Sequence, residues 1–270
     1  PPPPPPPPFQ AEDGIRDCTR SLVGSEMCIR DSLDVAEAFY GAVFGWTAAR
    51  VADSTGAIYS VQRLDGKRVA GLYQLTQELR DLGVPPHWAT YFSVADLDEA
   101  LGRVKKAGGK LLDGPIDEAG VGRMAVIQDD VGAYLRLWTP EAGQAGETFS
   151  APGAMVWSEL CTEDPARAHA FYKTVLGLDA TVIDAGGKAY SLLTIGEDAV
   201  AGVLTKTPEM EGGPTWDVYF AADDVDAVVT RVKAAGGSVV VEPFDLPVGA
   251  RMAVVADPFG AVFEIMKSEE

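Results

Sequence analysis

Histidine is nearly absent from this 270-residue chain, which holds only His87 and His169, and cysteine is limited to Cys18, Cys28 and Cys161. So few imidazoles and thiols leave little for a transition-metal centre of the His and Cys type. His87, beside Pro86, and His169, on a predicted helix, read as structural or solvated. No apolar run approaches the roughly 20 residues that span a bilayer, so no membrane partner is expected. Basic residues are also scarce, with 22 Lys and Arg against 40 Asp and Glu and a net charge of −18. Binding to a phosphate backbone draws mainly on Lys and Arg, so no nucleic-acid partner is expected. An acidic surface favours solubility and cationic partners.

The first 32 residues follow no strand, helix or loop logic. Eight prolines precede "QAEDGIRD" and then "SLVGSEMCIRDS". The segment 10–17 back-translates onto the end adapter of a sequencing library, and 22–32 onto the adapter that carries a transposase end. The prolines read as poly-C. Residues 1–32 are therefore expected to be translated adapter, either disordered or an opportunistic strand. The alternative is a polyproline II arm. A signal peptide does not fit, because Asp13, Asp17 and Glu26 interrupt any apolar core. Setting the segment aside removes five acidic and three basic residues, and the net charge moves from −18 to −16. Cys161 is then the one cysteine left, which allows no intrachain disulfide and suits a reducing cytoplasm.

What is present is repetition. "AEAFYGAVFGW" (36–46) matches "AHAFYKTVLGL" (168–178), and "VAGLYQLT" (69–76) matches "VAGVLTKT" (200–207). "WATYFSVADLDEALGRVKKAGG" (88–109) matches "WDVYFAADDVDAVVTRVKAAGG" (216–237), and "GRMAVIQDDVGAYLRL" (122–137) matches "ARMAVVADPFGAVFEI" (250–265). The order is kept and the offset drifts little, which marks a tandem duplication. The expected domains are 33–141 and 153–268, joined by a Gly- and Ala-rich linker at 142–152.

Each domain has halves. In the second, 155–161 alternates as a strand. Asp164 followed by Pro165 reads as an N-cap and first helical position, and Gly177 as the helix stop. Short β-rich runs follow at 178–184, 188–195 and 199–205. The plan then restarts with a strand at "WDVYFAA", a helix capped by Asp223 or Asp224, and runs at 238–242, 250–256 and 260–267. The fold class is α+β, built from tandem βαβββ modules, nominally four. The first module is expected to lack its native opening strand. Its place would fall to residues 23–29 of the adapter segment, with Ser32 as the helix cap.

The doubled plan, with "AFYGAVFGW", "AFYKTVLGL" and "DPFGAVFEI", resembles the vicinal oxygen chelate superfamily. That superfamily includes glyoxalase I, extradiol dioxygenases, fosfomycin-modifying enzymes and bleomycin-binding proteins. The likeness spans 33–270 and is closest to two-domain glyoxalase-like proteins. It implies two cup-shaped sheets with helices outside and a small-molecule ligand inside. Metal-dependent members place His, Glu or Gln at four cup positions. Carried over, these fall on Trp157, Gly202, Asp217 and Glu264 in the second domain, with Glu159 two residues from the first. In the first domain they fall on Ser25, Gly71, Ala89 and Arg136. The cofactor alternatives stay open: none, or a hard divalent ion, Mg²⁺ or Mn²⁺, on Asp217 and Glu264. The same two carboxylates are the candidate catalytic groups, by metal-free acid/base chemistry. They could equally pair with Arg251.

The cup is expected to be lined by Trp157, Glu159, Trp216, Tyr219 and Arg251 in one domain and by Trp88, Tyr91, Tyr134 and Arg136 in the other. Such aromatics with a few polar groups suit a small organic ligand. Three functions compete: small-molecule binding with catalysis unproven, a metal-dependent lyase, isomerase or dioxygenase, and metal-free drug sequestration. The chain would act as a monomer of two fused domains or as a homodimer.

Overall fold

A computed structural model of the chain describes residues 23–29, 32–52, 58–118, 122–141, 151–246 and 249–268. Most of the expected adapter segment and of the linker lies outside the described residues. Four modules follow in order. The first is β1 (Val23–Ile29), α1 (Leu33–Phe44), β2 (Thr47–Ala52), β3 (Ile58–Leu64) and β4 (Lys67–Gln74), followed by a short helix α2 (Gln77–Asp81). The second is β5 (His87–Ser93), α3 (Leu97–Lys106), β6 (Lys110–Glu118), β7 (Gly122–Gln128) and β8 (Tyr134–Pro140). The third is β9 (Met155–Thr162), α4 (Pro165–Leu176), β10 (Asp179–Asp184), β11 (Ala189–Ile195) and β12 (Asp198–Thr205). The fourth is β13 (Thr215–Ala221), α5 (Val225–Ala234), β14 (Ser238–Leu246), β15 (Ala250–Ala256) and β16 (Val262–Ser268). This is the α+β plan read from the repeats. The strands form two eight-stranded sheets, ordered β2-β3-β4-β1-β5-β8-β7-β6 and β10-β11-β12-β9-β13-β16-β15-β14.

The helix boundaries have local causes. Asp164 accepts from the Arg167 amide at 3.1 Å, Pro165 sits in the first turn, and Gly177 ends α4 at φ 75°. The left-handed φ at that stop is where glycine has no steric cost. Asp224 caps α5 through the Ala227 amide at 3.0 Å, which settles the choice between Asp223 and Asp224. Ser32 caps α1 through the Val35 amide at 3.5 Å. The segment Val23–Ile29 forms β1 and pairs in parallel with β4. The short helix α2 lies outside the βαβββ plan.

The chain clusters into two compact units that cut across the sequence repeat. One holds modules two and three (Thr90–Ala145 and Trp157–Asp217); the other holds modules one and four (Ser25–Ala89, Gly146–Val156 and Val218–Glu270). In the first unit, α3 buries Leu97, Ala100 and Val104, and α4 buries Ala168, Phe171, Tyr172 and Val175. The Arg103 Nε joins the two helices by donating to the Val175 carbonyl at 2.9 Å. A side chain on Gly109 would lie 2.8 Å from the Phe171 ring and 2.8 Å from the Gln128 carbonyl oxygen, so the close approach requires glycine.

A buried polar knot fixes this unit. Asp129 accepts from the amides of Gly132 (2.8 Å) and Ala133 (2.7 Å) and from the Tyr172 hydroxyl (2.6 Å). Trp216 Nε1 donates to the same hydroxyl at 2.9 Å. Every member is satisfied, which is the condition under which a buried network stabilises rather than weakens a core.

The second unit repeats the scheme. α1 buries Phe39, Tyr40, Val43 and Phe44, and α5 buries Val225, Val228, Val229 and Val232. Arg231 Nε donates to the Val43 carbonyl at 2.9 Å. Asp257 accepts from the Phe259 (2.8 Å) and Ala261 (2.9 Å) amides and from the Tyr40 hydroxyl (3.2 Å), while Trp88 Nε1 donates to Tyr40 at 3.1 Å.

Candidate functional site

The helix-covered face of each sheet is thus taken by core. The opposite face carries the candidate chemistry. In module three, alternation turns Leu160 toward the helix and Trp157, Glu159 and Cys161 away from it, and all four are buried. The β9–β12 register sets Glu159 beside Gly202. A β-carbon on Gly202 would lie 1.7 Å from the Tyr190 hydroxyl and 2.9 Å from Trp157 Nε1. Tyr190 of β11 therefore fills the space into which any side chain at 202 would project. Its hydroxyl accepts from Trp157 Nε1 at 3.0 Å and donates to the Glu159 carboxylate. Burial first, then the charge and hydrogen bond of Glu159, hold the Tyr190 phenol well above its ordinary pKa.

Module one has the same arrangement. Tyr59 donates to Glu26 at 2.5 Å, and a β-carbon on Gly71 would lie 1.8 Å from the Tyr59 hydroxyl. Glu26 stands opposite Gly71 in the β1–β4 register, although it belongs to the stretch expected to be adapter.

In module two, Tyr91 and Arg136 are register partners on β5 and β8. The Arg136 guanidinium donates to the Tyr91 hydroxyl and lies 5.1 Å from that ring's centroid, a cation–π geometry. Arg136 is buried with 9% exposure, and Trp138 meets Tyr91 edge-on at 6.4 Å. In module four the register partners are Tyr219 and Glu264, both buried. Asp217, half-buried at the end of the first unit, accepts weakly from Thr215 at 3.5 Å. Burial pushes its carboxyl up to about 7. The Asp217 backbone carbonyl also accepts from the Ser158 hydroxyl at 3.2 Å, and Ser158 is bonded to Thr90 at 2.8 Å.

Two segments, 27–137 and 154–265, match the sequence pattern of the Glyoxalase/Bleomycin resistance protein/Dioxygenase superfamily. The chain belongs to this superfamily. Among its relatives, the provisionally named glyoxylase CFP32 of Mycobacterium tuberculosis is 37% identical over 235 residues, 86% of this chain and 89% of that protein. The anthracycline biosynthesis protein DnrV of Streptomyces peucetius is 36% identical over 251 residues, 88% of this chain and 91% of that protein. Among solved folds, the Mn(II)-bound glyoxalase from Novosphingobium aromaticivorans superposes with a TM-score of 0.64 at 16% identity, covering 93% of this chain and 83% of that one. The 2,3-dioxygenase LapB from Pseudomonas sp. KL28 gives 0.62 at 14% identity, covering 92% and 91%. At such identities these two share the fold with this member of the superfamily.

The superfamily's metal centre does not fit the residues present. Among the described residues, no group of three or more His, Cys, Asp or Glu side chains is gathered as a metal would require. At positions 71 and 202 a tyrosine hydroxyl occupies the room a ligand would need. The strand register sets Glu26, not Ser25, opposite Gly71 and Glu159, not Trp157, opposite Gly202.

Several expected lining residues lie elsewhere. Trp88 and Trp216 are on the helix side, bonded to Tyr40 and Tyr172. They share strand parity with Phe92, Val218 and Phe220, the alternation signal that would have placed them. Tyr134 is 61% exposed. Arg251 is held at the surface by Asp226 (2.7 Å) and Asp245 (2.8 Å), not by the candidate carboxylates. Asp217 belongs to the first unit and Glu264 to the second. Tyr190 and Tyr59 escape sequence reasoning: each sits in an ordinary alternating strand, and only the matching glycines at 202 and 71 hint at them. His87 rests on the Pro85 carbonyl at 2.9 Å, and His169 lies on α4. No helix among the described residues is long and apolar enough to cross a membrane.

Proposed function

We propose that this chain binds a small organic molecule on the sheet faces turned away from its helices, and does so without a metal. The observation that carries the reading is the tyrosine hydroxyl standing in for a ligand side chain at both Gly202 and Gly71. On these faces the groups that such a ligand would meet are Trp157, Glu159 and Tyr190 or Tyr91 and Arg136 in the first unit, and Tyr219 and Glu264 in the second. The net charge of −18 favours a cationic ligand. The relative DnrV is named for anthracycline biosynthesis, and a polycyclic aromatic amine of that class belongs in the first ligand panel, with bleomycin beside it.

Thermal unfolding tests the reading. A ligand that binds only the native chain at 100 times its Kd adds about 2.7 kcal/mol, or roughly 5–10 °C in Tm. The expected result is such a rise with one panel member, unchanged by EDTA. A rise that appears only after Mn²⁺ or Mg²⁺ is added would contradict it.

A second reading, metal-free proton transfer, is favoured by Asp217. A carboxyl held near 7 exchanges protons at neutral pH, the condition for general acid–base work. Asp217→Asn that binds ligand unchanged but no longer turns it over would support this; equal turnover would sink it.

A further inference from the structure

The segment that follows β12 reads "KTPEMEGGP" (206–214), and its parts make a closed loop. The Lys206 amide donates to the Thr162 carbonyl at 2.8 Å, anchoring the loop to β9. The Lys206 ammonium folds back onto the Gly212 carbonyl, with Glu163 at 3.7 Å, and its side chain is only 8% exposed. Within this ring the Met210 amide bonds the Thr207 carbonyl at 3.0 Å, a tight turn. Gly212, at φ 84°, and Gly213 follow. Thus the loop is preshaped by its own lysine and ends on residues that swivel at little cost.

The Met210 side chain of this loop reaches the module. Met210 packs on the cluster of Cys161, Ala185, Tyr190 and Leu204, beside Ile183 and Leu192. Its sulfur lies 3.7 Å from the Cys161 sulfur. That cluster sits on the face turned away from α4, next to the Tyr190 hydroxyl that fills the Gly202 space. The residues on either side, Glu209 and Glu211, are exposed. The loop therefore presents one flexible thioether inward and two carboxylates at the rim. Methionine is flexible, fills irregular gaps and packs favourably against an aromatic ring.

We propose that Lys206–Pro214 is a hinged cover and Met210 its plug, over a site for an aromatic cation. The aromatic part replaces the Met210 side chain against Tyr190, Leu192 and Leu204, and the cationic group meets Glu209 and Glu211. This rests on the small-molecule reading above and gives it a place and a ligand class.

Cys161 reports on the cover. The full chain carrying Cys18→Ser and Cys28→Ser has Cys161 as its one thiol, and iodoacetamide measures its exposure. Met210→Ala is expected to raise the labelling rate at least tenfold, Lys206→Gln severalfold, and Met210→Leu hardly at all. In the Met210→Ala chain, saturating 9-aminoacridine is expected to bring the rate back down to that of the chain with Met210 in place. Glu209→Gln together with Glu211→Gln is expected to weaken that protection.

Equal labelling in the Met210→Ala and Met210 chains, with circular dichroism showing both folded, would overturn the cover. If Met210→Ala does not fold, a Lys206→Gln chain that labels no faster than the parent overturns it independently. If 9-aminoacridine raises Tm but leaves Cys161 labelling unchanged, the small-molecule reading stands and this placement falls. If it neither raises Tm nor protects the thiol, the aromatic-cation class falls, while a Tm rise with another panel member would leave the broader reading in place.

Discussion

In the first unit Asp129 gathers two turn amides and the Tyr172 hydroxyl, and Trp216 completes the knot. In the second unit Asp257, Tyr40 and Trp88 do the same with different neighbours in sequence. Even the arginine that joins the paired helices is repeated, Arg103 to Val175 and Arg231 to Val43, both at 2.9 Å. The opposite sheet faces diverge. Where module two places Arg136 beside Tyr91, module four places Glu264 beside Tyr219. Duplication has kept the side chains that close each core and changed the sign of charge where a ligand would be met. The helix side is constrained by packing and by buried polar groups that must all be paired; on the proposed reading the other face follows the ligand.

The sharpest way to break the comparison is to cut the knots. Asp129→Ala strands two amides and a phenol, at about 1–3 kcal/mol for each unpaired buried group, so a loss of at least about 3 kcal/mol is expected in urea unfolding. Asp257→Ala should match it to within about 1 kcal/mol, the scatter expected between contexts. A loss at one site several times that at the other would show that the units are not equivalent.

Next in size is the tyrosine that fills the space beside Gly202. Gly202→Ala forces a methyl into the Tyr190 hydroxyl and should cost about 2–3 kcal/mol, as overpacked cores do. In a Tyr190→Ala background the same change should cost at least about 1 kcal/mol less, the coupling expected of touching residues. Additive costs would mean that Tyr190 is not what fills the space. Gly71→Ala with Tyr59→Ala extends the test to module one.

The pH dependence separates the units more finely. The ordinary carboxyl of Asp217, 3.8 when unfolded, is raised to about 7 by burial. A raised folded-state value means that the folded chain holds the proton more tightly. Its contribution to stability is complete below about pH 4 and is lost as pH rises through about 7. Tm should therefore climb as pH falls from about 8 to about 5. Asp217→Asn should remove part of that climb, leaving the slopes of His87, which is raised to about 9 against its burial by a hydrogen bond to Cys28, and of Asp129 and Asp257, whose carboxyls burial also raises. An unchanged slope in Asp217→Asn would place the titration elsewhere.

The smallest effect concerns the exposed pairs. Arg123 bridges Asp98 and Asp117, as Arg251 bridges Asp226 and Asp245. Such surface pairs contribute about 0–1 kcal/mol, so Arg123→Ala and Arg251→Ala should shift stability by less than about 1 kcal/mol. Arg251→Ala should leave ligand affinity unchanged; a marked loss of affinity would restore it to the site.

Much of the fold is legible in the sequence because its signals are local. Asp164-Pro165 and Gly177 bracket α4, Asp224 opens α5, and the repeat sets out four modules in order. The compact units are not legible, since the contact of α3 with α4 and of α1 with α5 joins distant residues. Strand alternation places Glu159, Tyr91, Arg136, Tyr219 and Glu264 on the face proposed for the ligand, while placing Trp88 and Trp216 in the cup by nearness runs against their own parity. Tyr190 and Met210 carry no motif. The first is revealed by the close approach of its hydroxyl to Gly202, and the second by the fold of a loop.

The most direct test of a metal-independent site is the metal content of the chain produced with Mn²⁺, Fe²⁺ and Zn²⁺ supplied, measured by plasma mass spectrometry beside Glu264→Gln. The account predicts well under one ion per chain in both. About one ion per chain, lost in Glu264→Gln, would contradict it.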